Sequence, residues 1–184
     1  MKTKYIFLAF IVLVIAQLAI PTQMIFNKEA VLNNGTAYKF VTRPVDPNDP
    51  FRGRYITLNY AINSFETSES DWYNKQDVFV YIEEDKNGFA SVTQVSKNKL
   101  DISQDYVIAK TNWYNENSGV LNFNLQFDRF YMEEGKAPEA EVTFNNARRD
   151  SLLDNTYALV YVKDGDTVLN NVFINDIPIA DLVE

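Results

Sequence analysis

Asp46 to Tyr60 reads D-P-N-D-P-F-R-G-R-Y-I-T-L-N-Y, and these residues commit the chain around them to extended structure. Pro47 and Pro50 each fix their own φ and push Asp46 and Asp49 out of the helical region, so no helix crosses this segment. Gly53, between Arg52 and Arg54, marks a positive φ or a close backbone approach. From Tyr55 onward the residues repeat with a period of two. Ile56, Leu58, Tyr60 and Ile62 share one face, and Tyr55, Thr57, Asn59 and Ala61 the other. One strand from Tyr55 to Ile62 is predicted, its first face toward the core, with the Tyr60 ring packed and its hydroxyl at the rim of the sheet.

The same periodicity recurs on both sides. Ala37 to Arg43 is predicted as the strand before the Asp-Pro segment, and Ser64 to Asn74, polar and acidic, as a loop or short helix. Asp77 to Glu83 and Phe89 to Val95 flank a Glu-Asp-Lys-Asn-Gly turn and read as a hairpin. Asp105 to Tyr114 and Val120 to Phe130 are two further strands; in the second, Leu121, Phe123, Leu125 and Phe127 alternate with polar residues, which implies one solvated face. Pro138 to Ser151 suits a helix, with Glu139 at its start and Arg148 and Arg149 at its end. Thr156 to Lys163 and Asp166 to Ile174 are joined by Asp164-Gly165, a strong signal for a tight hairpin turn. The expected architecture is α+β and β-rich: a mainly antiparallel β domain of six to eight strands with one short helix, over residues 27–184.

Ahead of that domain, residues 1–26 form the predicted anchor. Tyr5 to Ile20 is apolar apart from Gln17, and apolar residues resume after Pro21 at Met24, Ile25 and Phe26. About 20 such residues cross the hydrocarbon core as a helix. A cleavable signal peptide is the competing reading, with a cut after Ala16; signal h-regions usually run about 7–15 residues, which favours the uncleaved anchor. Lys2 and Lys4 precede the span, and the positive-inside rule then puts the N-terminus in the cytoplasm and the body in the periplasm or outside the cell.

Composition removes several function classes. The 184 residues include no cysteine and no histidine, which excludes disulfides, thiolate nucleophiles, Ser-His-Asp triads and the common zinc sites. The net charge of −8 argues against nucleic acid as a partner, since polyanion binding needs concentrated Lys and Arg. Asp164 with Asp166, and Asp46 with Asn48 and Asp49, lack the full calcium-loop pattern. No cofactor and no metal are expected.

At Gly53, Tyr55, Leu58 and Tyr60 the chain resembles the GDYXXLXY family of bacterial proteins, whose name spells its motif. The preceding D-P-N-D-P-F-R is also of the family's type, whereas the motif Asp is replaced by Arg54, so any role of that acid does not carry over to position 54. Arg129 to Gly135, R-F-Y-M-E-E-G, resembles a second family signature. The resemblance implies a single-pass anchored protein found alongside polytopic membrane proteins, and it implies no activity. The glycine, the prolines and the Tyr/Leu/Tyr alternation also have folding reasons that account for the motif by themselves.

The binding candidates are therefore Asp46, Asp49, Arg52, Gly53, Arg54, Tyr55, Leu58 and Tyr60, with Trp72 and Trp113 in a repeated Trp-Tyr-Asn as secondary ones. No catalytic residue is assigned. The expected role is an extracytoplasmic binding or accessory protein working with a polytopic membrane protein. The alternative is an envelope hydrolase or glycan binder using paired carboxylates (Glu83-Glu84-Asp85, Glu133-Glu134, Asp46 with Asp49) and the Trp/Tyr rings.

Overall fold

The computed structural model describes residues 2–43, 55–133, 135–136, 139–140, 142–144 and 156–182. Helix α1 (Lys2–Asn34) is apolar on every side, and the large side chains along its first two thirds are exposed. It is long and apolar enough to cross a membrane, its most apolar stretch having mean hydropathy 2.3 and no buried residue. Pro21 removes one backbone donor from the helix interior. One turn is further tied where the Thr22 hydroxyl donates to the Leu18 carbonyl at 2.8 Å, a bond suited to surroundings without water. The helix continues past Phe26, and its last turns pack on the body, where Val31 is buried.

Gly35 turns the chain into β1 (Thr36–Arg43). The strands that follow are β2 (Tyr55–Thr57), β3 (Asn59–Tyr60), β4 (Ser64–Glu66), β5 (Asp77–Glu84), β6 (Ala90–Ser96), β7 (Tyr106–Asn115) and β8 (Val120–Leu125). After them come β9 (Arg129–Tyr131), β10 (Thr156–Lys163), β11 (Asp166–Ile174), β12 (Ile177–Pro178) and a 3-10 turn (Ile179–Asp181). One five-stranded sheet has the order β12-β11-β10-β1-β3, a second β4-β8-β7-β5-β6, and β2 and β9 form a separate ribbon. The strand pairings are antiparallel.

The two sheets share one core. Phe40, Ala158, Val160 and Val172 come from the first, and Val78, Val80, Val107, Leu121 and Phe123 from the second. Asp164 and Gly165 both have positive φ, 52° and 87°, so the Asp-Gly hairpin forms as its sequence predicts. Residues 139–140 and 142–144 are helical, within the predicted Pro138–Ser151 helix, and Ala140 and Phe144, one turn apart, are both buried. The Arg148-Arg149 end of that helix lies outside the described residues.

Four expectations about the strands change, the first being their number: the described residues hold twelve where six to eight were expected. The Tyr55–Ile62 strand is two pieces in different sheets: at Leu58 the backbone N–H turns to the Asp128 carbonyl at 2.8 Å, after which Asn59 and Tyr60 pair with β1. The Val120–Phe130 strand stops at Leu125, because the carbonyls of Phe127 and Asp128 accept bonds from the Tyr55–Tyr60 run instead of continuing the ladder with β7. The Ser64–Asn74 loop contributes β4, which pairs with β8.

Candidate functional site

The ribbon is built by the two signature stretches. Tyr55 pairs with Tyr131, Ile56 with Phe130 and Thr57 with Arg129. Alternation then sorts the side chains. Ile56 is buried and Phe130 packs against the core, while Tyr55, Thr57, Arg129 and Tyr131 share the other face. The Tyr55 and Tyr131 rings lie 5.4 Å apart, and the Arg129 guanidinium sits 5.1 Å above the Tyr55 ring centroid, within cation–π range. A hydrogen bond with Tyr131, and next the Tyr55 phenol, raise the Arg129 pKa. Tyr131 is 64% exposed. This face offers two phenols and a planar cation, a set suited to gripping a carboxylate or a carbonyl edge of a protein partner.

Leu58 and Tyr60 stand behind that face. Both are buried; the Tyr60 ring packs edge-on to Phe40 at 5.7 Å and against Phe127 at 5.1 Å. The Tyr60 hydroxyl lies in the core rather than at the sheet rim, because it donates to the Phe127 carbonyl at 2.7 Å. These two residues hold the face in place without being part of its surface. Asp46, Asp49, Arg52, Gly53 and Arg54 lie outside the described residues.

Beside the ribbon a cleft of about 270 Å³ opens between the Thr57–Asn63 run and β8. Among its lining residues Asp128 is the single carboxylate. Two other acidic candidates have structural partners: the Asp85 carboxylate accepts the N–H groups of Asn87 and Phe89 at 2.8 and 2.9 Å, and Asp166 lies 3.7 Å from the Lys28 ammonium; Glu134 lies outside the described residues. Among the described residues, no group of three His, Cys, Asp or Glu side chains is placed to hold a metal ion.

The two tryptophans differ. Trp72 is half-buried, its indole N–H donates to the Glu69 carbonyl at 2.9 Å, and the Lys97 ammonium covers its ring at 4.9 Å. Trp113 is 52% exposed, at an irregularity in the β7–β8 register. Arg129 and Tyr131 were not among the sequence candidates, although the second signature runs through them; pairing across the ribbon is what makes them neighbours of Tyr55.

The fold and this face define a β-rich body on an N-terminal helix of membrane-crossing length, with a cation–aromatic patch where two sequence signatures meet. The family model for GDYXXLXY protein matches residues 17–172, and the chain belongs to that family. Neither a curated protein nor a solved structure matches it.

Proposed function

We propose that the protein is a single-pass accessory protein of the cytoplasmic membrane, N-terminus inside, whose β body binds a polytopic membrane protein through the Tyr55, Arg129 and Tyr131 face. The observation that carries this reading is that face itself: an exposed cation and two phenols, assembled from both signature stretches and backed by buried Leu58 and Tyr60. The anchor half is supported by the helix. Cleavage after Ala16 would leave Leu18, Ile20, Met24, Ile25 and Phe26, each more than 60% exposed, in water. Lys2 and Lys4 favour an inside N-terminus.

A glycosidase reading draws less support, since the cleft carries one carboxylate where the reaction needs two across a substrate. The test is crosslinking in native membranes followed by recovery from detergent. Arg129→Ala and Tyr131→Ala, on a body with unchanged circular dichroism, are expected to reduce the captured polytopic partner at least about tenfold, the effect of losing ~1.4 kcal/mol. Undiminished capture by both variants would remove the face from the proposal, and a purified chain lacking the residues before Gln17 would remove the anchor.

A further inference from the structure

We infer that the tip of the β10–β11 hairpin rests against the lipid headgroups, so that the bilayer surface is a second partner of the body and the signature face is held at the opposite end. The inference rests on the reading that α1 spans the bilayer. Tyr5 to Phe26 provides about 33 Å of helix at about 1.5 Å per residue, against a hydrocarbon core of about 30 Å. Phe26, 68% exposed, is the last large apolar residue exposed on the helix, Leu32 being half-buried, and Asn27 and Lys28 follow it at once. The headgroup level therefore falls at Asn27 and Lys28.

Lys28 is also where the body begins. Its ammonium donates to the Thr167 carbonyl at 3.1 Å and lies 3.7 Å from the Asp166 carboxylate. One turn further on Val31 is buried, and Gly35 donates to the Val31 carbonyl at 2.8 Å. A Cβ at Gly35 would stand 2.5 Å from that carbonyl oxygen and 2.9 Å from the Val162 carbonyl oxygen, so helix and hairpin touch backbone to backbone. Asp166 and Thr167, held by the Lys28 ammonium, therefore lie within one lysine side chain of that level.

The register then positions the rest. Thr36 pairs with Val162 and Val41 with Tyr157, so β1 leads away from the hairpin tip, and only at Thr42 and Arg43 does it meet Tyr60 and Asn59. At about 3.3 Å per residue, β1 separates the two ends by roughly 20 Å. The partner's contact with Tyr55, Arg129 and Tyr131 accordingly falls in its extramembrane portion, while its transmembrane helices can meet only α1.

The chain has no cysteine, so single-cysteine labelling of the full-length protein is clean. The fluorophore NBD is placed at Thr167→Cys, Arg43→Cys or Leu13→Cys, in vesicles of phosphatidylcholine with a minority of phosphatidylglycerol, carrying nitroxide lipids at headgroup or mid-acyl depth. The expected result is loss of most Thr167-site emission to headgroup nitroxide, little loss at position 43, and strong quenching at position 13 by the mid-acyl nitroxide. Quenching at 13 without quenching at 167 overturns the inference and leaves the anchor standing. Equal headgroup quenching at 43 and 167 also overturns it, since the body would then lie along the surface. No quenching at 13 removes the anchor reading and this inference with it.

Discussion

Tyr60 shows how one side chain ties the signature to the core. Its hydroxyl donates to Phe127, 67 positions away, and burial first, with the charge of Asp128 second, pushes its pKa well above the usual phenol value. The group stays a neutral donor at any physiological pH. Tyr60→Phe keeps the ring and strands the Phe127 carbonyl, which costs about 1–3 kcal/mol. For a chain of this size that corresponds to roughly 2–4 °C of Tm per kcal/mol, readable by thermal unfolding in detergent. An unchanged Tm would show that water or another donor replaces the hydroxyl. The period-two pattern was enough to send Tyr60 inward. It could not name Phe127, because alternation reports which face a residue takes and is silent on which distant segment comes to meet it.

Among the elements, α1 meets β10 at close backbone approach. At Gly35 the constraint is space: two backbone carbonyl oxygens, neither at the end of a movable side chain, occupy the room a methyl group would need. Gly35→Ala is therefore expected to push the helix end off the hairpin and to raise amide exchange at Val162 and its neighbours. The remaining sheet should keep its protection. Unaltered exchange at the hairpin would show that the contact tolerates a methyl. Most strands were legible from alternation, and the β10–β11 turn from Asp164-Gly165. The change of sheet at Leu58 was not, since the in-and-out pattern runs unbroken from Tyr55 to Tyr60 while the hydrogen-bond partner switches from β9 to β1. Arg129 and Tyr131 were missed as site residues for the same reason: their neighbour Tyr55 is reached through a pairing that no local pattern encodes.

At the scale of the molecule, two phenols join separate segments. Tyr38 on β1 donates to the Asp105 carboxylate at 3.0 Å, and Tyr157 on β10 to that of Asp176 at 2.7 Å. Burial first, and the hydrogen-bonded carboxylate second, push both up from 10.0 to about 12. Below the unfolded value of 10.0 both states keep the proton, and the stabilisation is fully present. Between there and about 12 the unfolded chain releases protons that the folded chain retains, so stability falls as pH rises. Urea midpoints should thus drop through this alkaline window, and the Tyr38→Phe, Tyr157→Phe double variant should show a shallower drop. Equal slopes in both proteins would contradict the assignment. The long apolar N-terminal helix, the acidic composition and the β-rich class were visible in composition and pattern; the Asp46–Arg54 part of the opening stretch lies outside the described residues, and so the site is defined by its Tyr55–Tyr60 half and by β9.

α1 enters the body without a break, and its last turns pack against β10 and β11. On the proposed reading, in which α1 spans the bilayer beside a partner, the side of α1 that settles against that neighbour sets the compass direction in which Tyr131 points, much as the seating of a key's shaft sets the heading of its bit.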